Sequence, residues 1–411
     1  MASALQGIRV VELTVAVAGP VAGATLADMG ADVIKVEQPQ GRSPSSSAVP
    51  PAVAGAPDLP YNRAPFFNEL HRGKRHLAMD LATEDGHALF LRIAAEADVV
   101  IENFSPRVVG NLRVDYAALR EVKPDIICIS MPAFGKTGPY ANRGSYGPGI
   151  DAMSGLSHLT GYMDRGPGKP ANFYCDQNAG MTAALTALSA LRHRNRTGEG
   201  QYIELSMLEG ELQVLAPALM DAAVNGREQY RSGNRHAWMA PHGLYRCAGE
   251  DNWVALAVDS NEAWLSLCAV IGRGDLPADP QFATRADRYA NQHLIDPLIE
   301  EWTLQRTHYE AQHRLQAAGV SAGAVLDVAE VHDDPQLKHR ESLAFVDHPQ
   351  MGPFPHTRTA WRSRRGNHGV AGPAPAYGDG IEHVLKSLLG LSDEEIEAVV
   401  ASGVVARVPT G

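Results

Sequence analysis

Residues 7–41 read GIRVVELTVAVAGPVAGATLADMGADVIKVEQPQG, and this stretch decides the fold. Its apolar start, residues 8–13, predicts a short strand, and its end, residues 31–37, predicts a second strand. Between them, residues 18–29 have helical spacing, with Pro20 in the first turn and Gly30 suited to end the helix. The stretch therefore predicts a β-α-β unit.

The same alternation continues along the chain. Helix-like DGHALFLRIAAEA at 85–97 precedes strand-like DVVIEN at 98–103, and DYAALREV at 115–122 precedes DIICIS at 125–130. Strands that alternate with helices of this length are typical of a parallel sheet with helices on both faces. We therefore predict an α/β fold.

Composition excludes several classes of protein. With 36 basic and 47 acidic residues, the net charge of −11 offers no overall basic field for nucleic acid or an anionic membrane. The four cysteines lie far apart without zinc-site spacing, so no metal site is predicted. The first residues lack a secretory signal, and no apolar run reaches the roughly 18 residues of a spanning helix. These features predict a cytoplasmic protein.

The length of 411 residues predicts more than one domain. Strand-like GLYRCA and NWVALAV flank the turn GEDN and are typical of a hairpin in a small α+β domain. Ser206 and Glu209 form a capping-box pattern before a helix predicted to run to about residue 224, and Ser392 and Glu395 form another. The predicted segments are a large domain (1–200), a linker helix (201–225), a small domain (226–328) and a C-terminal segment (329–411).

Longer motifs carry a resemblance to a known family. They are residues 7–41 above, HRGKRHLAMDL at 71–81, DVVIENFSPRVV at 98–109, SMPAFGKTGPY at 130–140 and the run from YCDQNAG at 174 to SMLEG at 210. In this order they resemble the family III CoA-transferases, whose superfamily includes formyl-CoA transferase, carnitine CoA-transferase and α-methylacyl-CoA racemase. No dinucleotide or P-loop glycine motif competes with this interpretation.

The resemblance implies both a fold and an activity. The implied fold has a large Rossmann-like domain, a small domain and a C-terminal segment that returns to the large one, in an interlocked homodimer. The implied enzyme moves CoA from an acyl-CoA to a carboxylic acid, through a mixed anhydride and an aspartyl-CoA thioester. Acyl-CoA is then a substrate, and no metal or permanently bound cofactor is required.

Asp176 is the predicted nucleophile. From the residues alone, an aspartate at a helix start most often caps the helix or lies in its first turn. The same position suits covalent catalysis, because N–H groups at a helix N-terminus stabilise an ionised carboxylate and an oxyanion formed beside it. The resemblance favours catalysis, since the family's nucleophilic aspartate matches Asp176.

CoA carries three phosphate groups, so its binding requires local cations in an acidic chain. HRGKR at 71–75 is the densest basic cluster in the first half of the chain, and arginine suits phosphate because its guanidinium is planar and bidentate. A solvated basic loop is the alternative. The candidate CoA-binding residues are Gln38, Arg42, Arg72, Lys74, Arg75, Asn103, Phe104 and Arg107, and family position favours the segment 72–75, Asn103, Phe104 and Arg107. Gln38 stands where several relatives have an arginine, so one adenosine or phosphate contact is expected to be lost or to move to Arg42.

Three further residues bear on the substrate. Val17 stands where formyl-CoA transferase has a polar amide, and His242 lies on a segment where that enzyme has a run of glycines, so small diacids such as oxalate are disfavoured. Tyr146, 30 residues before Asp176, occupies the position of the racemases' histidine base, and a phenol is a poor base at neutral pH. We therefore predict CoA transfer. An acyl-CoA racemase or epimerase and a non-catalytic CoA-binding protein are the alternatives.

Overall fold

The computed structural model describes residues 3–40, 49–170, 173–364 and 369–410. The chain divides into two compact units. The larger unit comprises Met1–Ser157, Lys169–Glu228 and His339–Gly411, and the smaller comprises His158–Gly168 and Gln229–Lys338. The segment 158–168 thus groups with the smaller unit, whereas 201–228 groups with the larger one.

The strands of the described residues are, in chain order, β1 (Arg9–Glu12), β2 (Asp32–Glu37), β3 (Arg75–Met79), β4 (Val99–Glu102), β5 (Ile127–Ser130), β6 (Gln201–Glu204), β7 (His242–Arg246), β8 (Trp253–Ala257), β9 (Ser321–Val325), β10 (Leu343–His348), β11 (Gly352–Thr357) and β12 (Val405–Ala406).

The α-helices are α1 (Ala18–Asp28), α2 (Pro65–His71), α3 (Glu84–Ala95), α4 (Pro106–Leu112), α5 (Tyr116–Val122), α6 (Gly147–Ser154), α7 (Leu156–Leu159), α8 (Tyr174–Thr197), α9 (Met207–Val214), α10 (Ala216–Asn225), α11 (Asn261–Val270), α12 (Arg285–Ala290), α13 (Gln292–Thr303), α14 (His308–Ala317), α15 (Val328–Asp333), α16 (Pro335–His339) and α17 (Asp393–Ala401). Short 3-10 helices cover Pro60–Asn62 and Leu276–Ala278, and a π-helical segment covers Glu382–Leu388.

The larger unit is built on a seven-stranded sheet of order β12-β3-β2-β1-β4-β5-β6. The six longer strands are parallel, with Val10 of β1 opposite Val33 of β2 on one side and Val99 of β4 on the other. The predicted α/β fold and its first β-α-β unit are confirmed. The sheet is mixed rather than wholly parallel, because β12 near the end of the chain pairs with β3 in the antiparallel direction.

Both faces of this sheet are buried under helices, as predicted. Neighbouring residues of β1 point to opposite sides, so Val11 packs in a core with Phe90 of α3, and Val10 packs in a second core with Leu26 of α1 and Ala183 of α8. Alanines on one face of α8 allow it to approach the sheet and α1. A Cβ atom at Gly180 of α8 would lie 2.6 Å from the carbonyl oxygen of Ala18, so this glycine permits the contact.

The predicted helix over residues 206–224 is instead two helices. The first, α9, begins after Ser206, whose side chain accepts a hydrogen bond from the N–H of Glu209. It ends at Leu215, and α10 begins with Pro217 in its first turn. Proline lacks the N–H group that a continuous helix needs at this position, so the sequence predicted the start correctly and missed the break.

The smaller unit has its own sheet and core. Its three antiparallel strands have the order β7-β8-β9, and the predicted hairpin pairs Tyr245 with Val254. One face of the sheet packs against Trp264 of α11, Ile299 of α13 and Leu315 of α14. The hairpin of β10 and β11 forms a further antiparallel sheet in the larger unit.

Candidate active site

Asp176 lies in the first turn of α8. The residue at the N-cap position of this helix is Phe173, whose backbone is left-handed at φ 55°, and no side chain caps the helix there. Asp176 is therefore not the capping residue but lies in the first turn, which is the other common position for an aspartate at a helix start. Its side chain is buried, since the residue is only 5% exposed.

The carboxyl group of Asp176 is in an environment that disfavours its charge. Burial and then the nearby carboxylate of Asp151 raise the pKa of Asp176 to about 6, although hydrogen bonds from the backbone N–H groups of Asp176 and Ala18 partly offset this. Its Oδ2 atom has no hydrogen-bond partner among the described residues. A buried oxygen without a donor costs free energy, so this atom is poised to react or to accept a bond from a ligand.

Two helix N-termini meet at this carboxyl group. Ala18 is the first residue of α1, Asp176 is in the first turn of α8, and the backbone N–H of each contributes a hydrogen bond. Ala16, in the loop before α1, has a left-handed φ of 61°. Because the partial positive charge of a helix is concentrated at its N-terminus, the junction stabilises negative charge without a side-chain cation.

Gly147 leaves the space that the Asp176 side chain occupies. It is the first residue of α6, and a Cβ atom built on it would lie 1.8 Å from Oδ2 of Asp176. No side chain larger than hydrogen fits between α6 and the carboxyl group. Gly147, the first glycine of the sequence GPGID after Tyr146, is therefore required for steric reasons.

Behind Asp176 lies a fully buried cluster from three helices: Asp151 of α6, Cys175 of α8 and Glu211 of α9. Their side-chain oxygen and sulfur atoms lie within 4.8 Å of one another. Burial, followed by Glu211 and Asp176, raises the pKa of the Cys175 thiol well above its usual range. The thiol is therefore protonated, and a metal ion would have to displace its proton in order to bind there.

A cavity of about 290 Å³ opens at the carboxyl ends of the central strands. It is lined by residues that follow or end β1, β2, β3 and β4, including Val15, Gln38, Leu81 and Phe104. Strand order reverses between β1 and β4, and ligands of open α/β sheets bind at such a point. The loop after β1 lines this cavity at Val15 and reaches the Asp176 carboxyl group at Ala18.

The basic cluster at 71–75 is largely committed to ion pairs. Lys74 is buried, with its Nζ 2.7 Å from Oε2 of Glu12 and donating to the carbonyl oxygen of Pro20 at 2.9 Å. Burial lowers the pKa of Lys74 to about 8. Its ammonium group therefore holds α1 against β1 and β3, and we do not retain it as a phosphate contact.

The two arginines of this cluster differ from each other. Arg72 is mostly buried and donates to Oδ2 of the buried Asp28 at 2.7 Å. Arg75 begins β3, pairs with Asp32 at 3.0 Å and has a side chain that is 48% exposed. Arg75 is thus the member of the cluster most accessible to a ligand.

The other predicted CoA-binding residues differ in their relation to the cavity. Gln38 and Phe104 line it. Asn103 binds the loop after β1 instead, because its Oδ1 accepts from the N–H of Val15 and its Nδ2 donates to the carbonyl of Val15, both at 2.8 Å. Arg107 is exposed in the first turn of α4, and Arg42 lies outside the described residues.

The three predicted substrate residues have different local environments. Val17 is buried before α1 and packs against Val21, Leu70 and Phe173. Tyr146 precedes α6 and is 77% exposed. His242 belongs to the smaller unit, where its Nδ1 donates to the carbonyl oxygen of Asn234 at 2.7 Å and its ring lines a cavity of about 530 Å³.

Sequence reasoning missed the groups around Asp176, which are Ala18, Gly147, Asp151 and Glu211. A signal for Glu211 exists in the sequence. It lies four residues after the buried Met207 and so shares the buried face of α9, where a glutamate needs a polar partner. The role of Ala18 could not be predicted from the sequence, because its backbone N–H is present whatever the side chain is.

Known proteins are similar to this chain over most of its length. The model of CoA-transferase family III matches residues 5–380. The succinyl-CoA–D-citramalate CoA-transferase of Chloroflexus aurantiacus is 31% identical over 401 residues, which cover 98% of this chain and 98% of that relative. The succinate–glutarate CoA-transferase of Agrobacterium fabrum is 34% identical over 384 residues, which cover 93% and 95% of the two chains.

A solved structure is similar along almost the whole length. A CaiB/BaiF family protein from Brucella suis superposes with a TM-score of 0.86 at 34% identity, over 94% of this chain and 100% of that one. No helix among the described residues has the length and apolar character to cross a membrane. The chain belongs to CoA-transferase family III and is an acyl-CoA:carboxylate CoA-transferase.

Proposed function

We propose that Asp176 is the nucleophile through which this enzyme transfers CoA. The observation that carries the proposal is its buried carboxyl group, which has an unpartnered Oδ2 and N–H donors from two helix N-termini. A desolvated carboxylate with a raised pKa is more basic than one in water, and nucleophilicity rises with basicity.

The reaction proceeds by exchange between acyl species of similar energy. Asp176 attacks the carbonyl carbon of the donor acyl-CoA, forming a mixed anhydride and releasing CoA thiolate. The thiolate attacks the aspartyl carbonyl, which releases the donor acid and leaves an aspartyl-CoA thioester. The acceptor carboxylate attacks this thioester, and the released thiolate attacks the acceptor's acyl carbon, which yields the new acyl-CoA and restores Asp176. Each step balances without a metal or a redox cofactor.

The tetrahedral intermediates of these steps carry an oxyanion beside Asp176. The N–H groups of Ala18 and Asp176 already contact the carboxyl group, so they can donate to an oxygen of the intermediate with little reorganisation. Such preorganised donors commonly contribute about 3 kcal/mol of transition-state stabilisation each. The buried surroundings strengthen these interactions by excluding water.

We place the adenosine part of CoA in the cavity after β1, β2 and β4. Aromatic and apolar groups such as Phe104 and Leu81 suit the base, and Gln38 offers an amide for hydrogen bonding. Val15 in the cavity is three residues from Ala18, which is at most about 11 Å of extended chain. The flexible pantetheine arm of CoA can span such a distance, so its thioester reaches Asp176.

The phosphate groups of CoA require cations outside the buried ion pairs. Arg75 and Arg107 are the exposed arginines among the predicted residues within the described ranges. Arg75 begins β3 and pairs with Asp32 at the start of β2, so it lies at the amino ends of the strands, away from the cavity at their carboxyl ends. We therefore retain Arg107, and not Arg75, as a phosphate contact.

The acceptor is proposed to be a dicarboxylic acid. The two relatives described above are named for succinate or succinyl-CoA with D-citramalate or glutarate. Each of these acids has a second carboxylate that must be held away from Asp176. Testing succinyl-CoA against dicarboxylates of increasing length, with monocarboxylates of matched length as controls, measures this preference directly.

We further propose that the enzyme is an interlocked homodimer. Large apolar side chains are exposed on the helices of the larger unit, including Met181 and Leu185 of α8 and Met220 and Val224 of α10. A second copy of the chain would cover such faces. The interface should be far larger than the standard protein–protein interface of about 1,600 Å². A folded and active monomer in sedimentation at nanomolar concentration would contradict the dimer.

The test of the proposed function compares Asp176→Ala with the unmodified enzyme. Exchange of CoA between succinyl-CoA and labelled glutarate should fall to background in the variant, while CoA binding by calorimetry stays within about twofold, because the cavity does not include Asp176. Exchange of CoA by Asp176→Ala at the rate of the unmodified enzyme would contradict the proposal. Incubation of a 2-methylacyl-CoA in deuterated water addresses the racemase alternative, which requires Asp176-dependent deuterium uptake at C2.

A further inference from the structure

The buried cluster behind Asp176 contains two carboxyl groups that cannot both be charged. Asp151 and Glu211 are each 0% exposed. As carboxylates, all four of their oxygen atoms lack a hydrogen-bond donor among the described residues, and neither forms an ion pair there. Two adjacent buried anions without counter-ions would be strongly destabilising, so one proton must be shared between them.

Among the described residues, no group around the pair could replace this proton. Cys175 and Asp176 face it from α8, Ser154 faces it from α6, and α1 contributes the N–H of Ala18 to the neighbouring Asp176. The Ser154 hydroxyl donates to the carbonyl oxygen of Asp151 at 3.1 Å. The positive charge needed to balance both carboxylates is therefore not supplied by a described residue.

Asp151 is the member of the pair that lies next to Asp176, since it is the largest influence on the Asp176 carboxyl group after burial. Glu211 lies on the other side of Asp151, and burial, followed by the hydrogen bond and charge of Asp151, raises the pKa of Glu211 to about 7. The three carboxyl groups thus follow one another from Glu211 on α9 through Asp151 on α6 to Asp176 on α8.

We propose that Asp151 and Glu211 form a proton-sharing pair in which Glu211 donates to ionised Asp151, and that the anion kept at Asp151 makes Asp176 a stronger nucleophile. The proposal rests on the proposed role of Asp176. Repulsion from Asp151 destabilises the ionised form of Asp176 and is relieved when Asp176 is acylated and loses its charge. Asp151 acts only through Asp176 and is a positioning residue, as is Glu211.

Two isosteric variants distinguish a proton-sharing pair from a contact that has only a structural role. In Glu211→Gln, the amide donates to Asp151 as the protonated glutamic acid does, so the charge beside Asp176 is kept. In Asp151→Asn, the charge next to Asp176 is removed or transferred to Glu211. The two substitutions remove one carboxyl group each from the same cluster, and each serves as the control for the other.

The direct measurement is a pH titration of the Asp176 carboxyl carbon by NMR in protein labelled with 13C-aspartate, with the signal assigned from Asp176→Asn. The midpoint should fall by about one pH unit or more in Asp151→Asn and move by less than about 0.3 unit in Glu211→Gln. The acid limb of the kcat/KM profile should shift in the same way, and kcat/KM at neutral pH should fall about 10-fold in Asp151→Asn.

Infrared spectroscopy keeps the proposal testable if Asp151→Asn does not fold. At about pH 6.5, where an ordinary glutamate is ionised, protein labelled with 13C-glutamate should show one buried protonated carboxyl band that shifts with the label and disappears in Glu211→Gln. Absence of that band would overturn the proposal.

Three other outcomes would also overturn it. The Asp176 midpoint could stay unchanged in Asp151→Asn, or Glu211→Gln could shift it as strongly as Asp151→Asn does. Purified protein could instead contain a stoichiometric divalent metal that both variants lose, which would make the cluster a metal site. Because the NMR titration does not depend on turnover, failure of Asp176 as a nucleophile would leave the shift in Asp151→Asn intact, and the two failures are distinguishable.

Discussion

Gly147 and Asp176 lie so close that a Cβ atom on Gly147 would be 1.8 Å from Oδ2 of Asp176. The first residue of α6 thus fixes where the carboxyl group of α8 can point. This contact links two segments of sequence that are far apart in the chain, and it makes the position of the reactive oxygen sensitive to one methyl group.

Gly147→Ala should reduce kcat/KM by about 100-fold, because a displacement of about 1 Å at the reacting atom has an effect of this size. The matched control is Gly144→Ala, three residues earlier, where a Cβ atom meets no described atom within 4 Å and activity should change less than about twofold. Steady-state kinetics of both variants, with circular dichroism to verify folding, decides the matter. Near-normal activity of Gly147→Ala would show that the carboxyl group is not confined.

Asp176→Asn should be more stable than the unmodified enzyme at pH 8. The pKa of Asp176 is raised from 3.8 to about 6, so the folded protein holds this proton more tightly than the unfolded chain does. The free energy of unfolding therefore decreases as the pH rises from about 4 through 6. Two pH units correspond to at most about 3 kcal/mol, and we expect a gain of about 1–3 kcal/mol at pH 8 that vanishes below about pH 4.

Chemical denaturation at several pH values measures this difference. Asp115→Asn is the matched control, because Asp115 caps α5 with hydrogen bonds from Ala117 and Ala118, and asparagine caps a helix about as well as aspartate. Its stability should change by less than about 0.5 kcal/mol. A destabilised Asp176→Asn at pH 8 would contradict a strained, charged nucleophile.

Glu12→Gln should destabilise the larger unit strongly. Glu12 is fully buried and pairs with Lys74 at 2.7 Å and Lys35 at 3.4 Å, so the variant leaves two buried ammonium groups without a counter-ion. Breaking such a pair costs about 3–5 kcal/mol. Glu84→Gln, which removes an exposed pair with Arg113, should cost less than about 1 kcal/mol. Equal effects of the two substitutions in urea denaturation would refute the buried network.

Phe104→Ala should weaken acyl-CoA binding without impairing the chemical step. Phe104 lines the cavity proposed for adenosine, and loss of an aromatic contact with a base costs about 1–3 kcal/mol. We expect KM to rise about 10-fold while kcat stays within about twofold. Phe345→Ala removes an exposed phenylalanine of β10 outside the cavity and should leave both constants unchanged. A lower kcat with unchanged KM would place the adenosine elsewhere.

The alternating part of the fold was predictable from the sequence because its signals are local. Apolar strands such as β1 and β4, and the helices between them, follow from the periodicity of their own residues. The two-residue β12 has no such signal, and its antiparallel pairing with β3 depends on contacts between residues more than 300 positions apart. The break at Leu215 was missed although Pro217 marks it.

The site was predictable only where one motif contains it. Asp176 is a candidate because of the resemblance, whereas Asp151 and Glu211 belong to other helices and become neighbours only when α6, α8 and α9 pack together. The density of HRGKR indicated phosphate binding, yet side-chain direction decides the outcome, since Lys74 points into the core and Arg75 stays partly exposed. The number of basic residues in a short segment does not show in which direction their side chains point.

The most direct test of the central claim is to trap the covalent enzyme. Incubation with succinyl-CoA followed by borohydride or hydroxylamine, digestion and mass spectrometry should show a modification at Asp176, which depends on acyl-CoA and is absent from Asp176→Asn. This result is expected because both the anhydride and the thioester intermediates are carried on that carboxyl group. Full exchange activity with Asp176 unmodified throughout, or a modification on another carboxylate, would contradict the account.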